Sequence, residues 1–195
     1  MNKIFLTDVD GIIFNFIRTF EIWIKTKEYH VTRPQLADDN YYLKIEDWLG
    51  VTKAKAQALV EEFFNTDFSK HFITFKDSVD VIHKLKNEGW NFVAVTAIGG
   101  GELAKKHRMA ALDYHFGKYV FSDVLTVPPF SSKEEILKTF SPTLWVDDSP
   151  MHIVEGIAAG HFTFHMKREG DTRQTPEEDA IEVTDWHGIY DWIHQ

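Results

Sequence analysis

Short apolar stretches alternate with stretches of helical spacing along most of this chain. The runs KIFLTD (3–8), NFVAVT (91–96), YVFSDV (119–124), TLWVDD (143–148) and HFTFHM (161–166) are apolar and bounded by polar or glycine positions. They read as strands. Between them, 76–89 spaces Val79, Ile82 and Leu85 along one face and stops at Gly89, while 101–117 stops at Gly117. Both patterns are helical, with glycine as the C-terminal stop. The stretches 131–140 and 150–159 fill the remaining gaps, and the tail from Val183 reads as an amphipathic terminal helix after an acidic loop. Strands alternating with helices imply βαβ units with right-handed crossovers. The expected fold class is therefore α/β, a Rossmann-like parallel sheet with helices on both faces. Near-continuous apolar strands fit burial of both sheet faces.

The rhythm breaks between Phe14 and Phe75, where only helical or irregular patterns occur. A helical insertion after the first strand is the simplest account, giving a core of residues 1–14 and 75–195 and an insertion of 15–74. The insertion is rich in aromatics, among them Phe16, Trp23, Tyr41, Tyr42, Trp48, Phe63 and Phe64. Most are expected to form its own small core, with one or two facing a ligand beneath it.

Length and composition narrow the class. With 195 residues, 44% hydrophobic and 26% charged, the chain is long enough to bury a core and too apolar for disorder. It has no cysteine, no run near the length of a membrane helix, and no secretion-signal pattern at its start. A cytoplasmic protein without a membrane or disulfide framework is expected. The net charge of −9 argues against binding a nucleic-acid polymer through a broad basic face. A small anionic ligand would need a locally positive site.

Ligands of open parallel sheets bind beyond the carboxyl ends of the strands, which selects the residues that matter. Asp8 ends the first strand with Asp10 in the turn behind it, Thr96 ends another, and Asp147 and Asp148 end a third. Four carboxylates at one rim call for a cation or a division of catalytic labour. All-oxygen ligands favour Mg²⁺. A calcium loop starting at Asp8 fails, because Ile13 and Thr19 stand where glycine and glutamate are required.

Four features in order, IFLTDVDG, NFVAVT, Lys133 in SSKEEIL and LWVDDSP, resemble the motifs of the haloacid dehalogenase-like (HAD) phosphohydrolases over Lys3 to about Lys167. The insertion looks like that family's cap. The resemblance implies Asp8 as nucleophile, Asp10 as general acid and base, and Thr96 and Lys133 as phosphate-binding groups. It further implies Mg²⁺ held by Asp8, Asp148, the Asp10 carbonyl and, directly or through water, Asp147. Dehalogenases of the family lack the second acid that Asp10 provides. Within the family, DVDGIIFNF is similar to the 5'(3')-deoxyribonucleotidases, which implies Phe16 packing on a nucleoside base and Arg108 contacting phosphate. Ala97 departs from that pattern by removing a hydroxyl, and Arg108 replaces a lysine. The expected substrate is a small phosphorylated metabolite such as a (deoxy)nucleoside monophosphate, with a phosphomutase left open.

Two other readings compete. Gly99, Gly101 and Ala104 fit G-x-G-x-x-A, a dinucleotide fingerprint, but at the wrong βα turn and leaving both aspartate pairs unexplained. An inactive binding module of the same fold is the other. His161 and His165, on one strand face, read as neutral packing groups, and Trp186 and Trp192 as core contacts.

Overall fold

The computed structural model describes residues 3–30, 45–99, 101–168, 171 and 173–195. Tyr41 and Tyr42 lie outside the described residues. Six strands form one sheet: β1 (Lys3–Thr7), β2 (Trp90–Thr96), β3 (Phe121–Thr126), β4 (Leu144–Asp147), β5 (Phe162–Met166) and β6 (Ile181–Val183). Their order is β3-β2-β1-β4-β5-β6, and every pairing is parallel. The fold is the expected α/β Rossmann-like sheet. The chain winds from β1 out to β3, then returns to build the other half from β4. The crevice of such a sheet opens at this reversal, between β1 and β4.

Side chains sort by period two onto two buried faces. Phe5, Phe92, Ala94, Val124, Val146 and Phe164 join the larger apolar cluster, while Leu6, Val93, Val95 and Trp145 join the smaller. Helices α4 (Lys76–Asn87), α5 (Glu102–Phe116) and α8 (Trp186–Ile193) bury Ile82, Leu112 and Ile189 on the first face. The second is covered by α6 (Glu134–Leu137) and α7 (Pro150–Ala158). Gly156 brings α7 close, since a Cβ there would lie 2.3 Å from Trp145 Cδ1.

Helices α1 (Phe16–Lys25), α2 (Ile45–Leu49) and α3 (Lys53–Phe64) and a 3-10 turn (Asp67–Lys70) lie between β1 and α4. The chain leaves and returns through a short neck: Asn15 N–H donates to the Ile73 carbonyl at 2.8 Å, and Phe75 N–H to the Ile13 carbonyl at 3.0 Å. Phe20, Trp23, Trp48 and Phe63 are buried, but in the same cluster as the sheet core rather than in a separate one. Phe14 and Phe72, stacked 4.9 Å apart, join the two parts.

Boundaries differ from the sequence reading in three places. β3 starts at Phe121 rather than 119, because Tyr119 adopts φ +69°, which no strand residue takes. The helix expected over 131–140 is only one turn, α6. β6, three residues with one buried side chain, was too short to show a period. Val183 therefore ends a strand, and α8 starts at Trp186, where the Asp185 side chain caps it by accepting from Gly188 N–H.

Candidate active site

β1 and β4 are hydrogen-bonded neighbours, so the residues that follow them meet at one rim. Asp8 N–H still donates to the Val146 carbonyl at 2.9 Å, which aligns the two strand ends. Ligand oxygens of Asp8, Asp147 and Asp148 lie within 4.8 Å of one another. Lys133, at the start of α6, reaches into this cluster: its Nζ donates to Asp8 Oδ1 at 2.5 Å and Asp147 Oδ2 at 2.8 Å. Lys133 is 1% exposed. Its backbone N–H donates to Glu155 Oε2, which also meets His152 Nδ1 at 2.8 Å.

One ammonium faces three carboxylates here, and the electrostatics follow. Burial raises the pKa of Asp8 well above the carboxylate range; Lys133 opposes this, while Asp147, Asp10 and Asp148 add to it. Burial also pushes Asp148 up to about 7, helped by Asp147 and opposed by Arg173. For Lys133, burial disfavours the charge but Asp147 and Asp8 outweigh it, holding its pKa above the usual lysine range. An all-oxygen cluster with this surplus of negative charge fits a hard divalent cation.

The turn after Asp8 is shaped for the same point. Gly11 takes φ +84°, and a Cβ on it would lie 3.0 Å from Asp148 Oδ2. A larger residue would meet both backbone strain and the carboxylate. Arg168 Nε donates to the Gly11 carbonyl at 2.9 Å and its Nη2 to the Ile12 carbonyl at 2.7 Å. Trp186 Nε1 donates to the same Ile12 carbonyl, and Asp77 ties Arg168 and the Trp186 backbone together.

Asp10 stands slightly apart. Arg108 Nη2 donates to Asp10 Oδ2 at 2.6 Å, and Asp10 Oδ1 has no partner among the described residues. The Arg108 guanidinium is 1% exposed and packs on Phe72 at 4.5 Å, Phe64 at 5.2 Å and Phe14 at 5.5 Å. Among the described residues its Nε and Nη1 have no hydrogen-bond partner, nor does the buried Thr96 hydroxyl. Unsatisfied buried donors carry a penalty and mark places where a ligand can bind. Asp10 lines a pocket of about 470 Å³ whose walls include Phe16 and Phe64 from the inserted helices and Ala97, Phe130 and His152 from the core. Phe16 lines it while stacking on Phe64 at 5.6 Å.

Asp8, Asp147, Asp148 and Lys133 thus converge. Arg108 and Phe16 sit by Asp10, with Arg108 turned onto that carboxylate. Gly99, Gly101 and Ala104 lie after β2, not at the β1 turn that faces the crevice. His161 and His165 hydrogen-bond to local groups, His161 to Thr143 and Leu137 and His165 to Thr175. Four contributors left no sequence signal: Arg168, Arg173, Glu155 and His152. Arg173 Nη2 meets Asp148 Oδ2 at 3.2 Å across 25 positions of sequence, a pairing no local pattern reveals.

No protein-family model matches the chain. It is 30% identical over 201 residues to the uncharacterized 32.4 kDa protein in the Gp30-rIII intergenic region of Enterobacteria phage T4, covering 97% of this chain and 69% of that one. Solved structures share the fold at lower identity. The hydrolase, haloacid dehalogenase-like family protein SP0104 from Streptococcus pneumoniae superposes with a TM-score of 0.70 at 12% identity, covering 98% of each chain. The D,D-heptose 1.7-bisphosphate phosphatase of B. bronchiseptica, complexed with magnesium and phosphate, gives 0.58 at 11% identity over 99% and 98%. Dehalogenases have the fold as well.

Proposed function

The chain belongs to the same family as the uncharacterized 32.4 kDa protein of phage T4, and from its HAD-like fold and rim chemistry we propose a Mg²⁺-dependent phosphomonoester hydrolase working through an aspartyl-phosphate. One observation carries the reading. An acid outside the carboxylate cluster, Asp10, opens onto a pocket, while inside the cluster Asp8 is gripped by a buried lysine. That separation provides one carboxylate to attack and another to move a proton.

Asp8 attacks phosphorus in line, forming an O–P bond as the bond to the leaving oxygen breaks. Asp10 gives that oxygen its proton from Oδ1, which has no partner among the described residues, while Arg108 holds Oδ2. Asp10 then takes a proton from the water that attacks phosphorus, and the Asp8–phosphorus bond breaks to release phosphate. Lys133, the Thr96 hydroxyl and the unpaired Arg108 N–H groups are the donors for phosphoryl oxygens. Asp8, Asp148 and the Asp10 carbonyl would hold Mg²⁺, with Asp147 beside them, and the bound ion would offset phosphoryl charge and favour ionised Asp8. A phosphatase of the same fold holds magnesium and phosphate, which supports this assignment. The second acid, Asp10, favours phosphate chemistry over dehalogenation. The inserted helices act as a cap over the pocket, and Phe16 takes the base of a (deoxy)nucleoside monophosphate.

The test is phosphate release, with Mg²⁺, from a generic aryl phosphate and a panel of nucleoside monophosphates. Asp8→Asn should lower kcat by about three orders of magnitude or more. A variant that keeps most of the activity would remove Asp8 as nucleophile, and a wild type that releases nothing would remove the hydrolase reading.

A further inference from the structure

Residues 127–132 link β3 to α6 and are fastened to the catalytic rim at both ends. Val127 N–H donates to the Thr96 carbonyl at 3.0 Å, and Gly99 N–H to the Val127 carbonyl at 3.0 Å. At the far end Lys133 is held by Asp8, Asp147 and, through its backbone, Glu155. Pro128 and Pro129 restrict the span, and Ser131 N–H closes a turn on the Pro128 carbonyl at 3.1 Å. At its apex Phe130 adopts φ +63° and is 66% exposed. Both features are unfavourable in the free chain: a bulky side chain is strained at positive φ, and a large ring is left in water. Strain of this kind collects at ligand clamps.

Phe130 also lines the pocket that holds Asp10, as do Phe16 and Phe64 from the inserted helices. A ligand in this pocket would bury the exposed ring. We propose that Phe130 is a specificity-determining residue that packs on a flat ring carried by the leaving group and so favours ring-bearing phosphomonoesters over acyclic ones. This rests on the hydrolase reading above. The rigid loop fixes the ring relative to Lys133 and Thr96, so ring and phosphoryl sites keep a set spacing.

The experiment compares kcat/KM for phenyl phosphate and butyl phosphate, with Mg²⁺, in the wild type, Phe130→Ala and Phe130→Tyr. The aryl-to-alkyl ratio should fall about tenfold in Phe130→Ala, mainly through KM, and stay within about twofold in Phe130→Tyr. An unchanged ratio in the alanine variant, or an equal fall in both variants, overturns the proposal. Calorimetry with benzylphosphonate and butylphosphonate, with Mg²⁺, separates the two readings. If the wild type releases phosphate from neither ester and from none of the nucleoside monophosphates, the hydrolase reading fails, and the same tenfold shift in the phosphonate affinity ratio alone decides the role of Phe130.

Discussion

Replacing Asp148 by asparagine should stabilise the metal-free protein while removing its ability to bind Mg²⁺. Asp148 is half-buried beside Asp147, and its carboxyl is pushed up to about 7 from an ordinary 3.8. A buried acid with a raised pKa opposes folding once the pH exceeds its unfolded value, because only the unfolded chain ionises without penalty. The penalty is absent below about pH 3.8, grows through the window up to about 7, and is complete above it. At about 1.4 kcal/mol per pH unit it reaches about 4 kcal/mol. Asparagine keeps the shape and removes the charge, and Arg173 retains Asp171 as a partner. Urea unfolding followed by tryptophan fluorescence in EDTA should thus give Asp148→Asn a small advantage at pH 5 and one approaching 4 kcal/mol at pH 8. Saturating Mg²⁺ should raise the wild-type midpoint at pH 8 and leave the variant almost unmoved. A variant less stable than wild type at pH 8 in EDTA, or an advantage that shrinks as pH rises, would refute the charge-surplus account of the rim.

Two further predictions concern the scaffold. Gly156→Ala, which in an open helix would gain up to about 1 kcal/mol, should instead lose about 2–3 kcal/mol, because the new methyl meets Trp145 Cδ1 at 2.3 Å and Thr163 Oγ1 at 2.8 Å; a thermal midpoint at or above wild type would contradict this. His161 accepts Thr143 N–H on Nδ1 and faces the Leu137 carbonyl with Nε2, and burial lowers its pKa below 6.5. Its contribution is therefore complete above pH 6.5 and lost as pH falls through the lowered value. Unfolding free energy measured from pH 7.5 to 5 should fall less steeply in His161→Gln than in wild type, and parallel curves would exclude His161 as a contributor.

Strands β1 to β5 and their order along the chain were legible because burial on two faces demands apolar residues at consecutive positions, and that demand is written locally. The same holds for Asp8, Asp10, Thr96, Asp147 and Asp148, each within a residue or three of a strand end, where the parallel sheet opens its crevice. β6 was not legible, being too short to show a period, and neither was the one-turn length of α6. Nor was the fusion of the inserted aromatics with the sheet core, which depends on the Phe14–Phe72 contact across the neck.

By itself, then, the sequence determined which groups could react: acids and a threonine at the ends of strands and a lysine at the start of a helix, in the order that the proposed phosphoryl transfer uses. Tertiary structure alone decided how these groups share charge. It brought Lys133 onto Asp8 and Asp147 but left Asp148 to Arg173. It also turned Arg108 onto Asp10 and clipped the Asp8–Asp10 turn with Arg168 and Trp186. The physical reason is range. Periodicity and turn chemistry act over a few residues, whereas the pKa of a buried carboxylate depends on whatever charge the fold carries to within a few ångströms, from any distance along the chain.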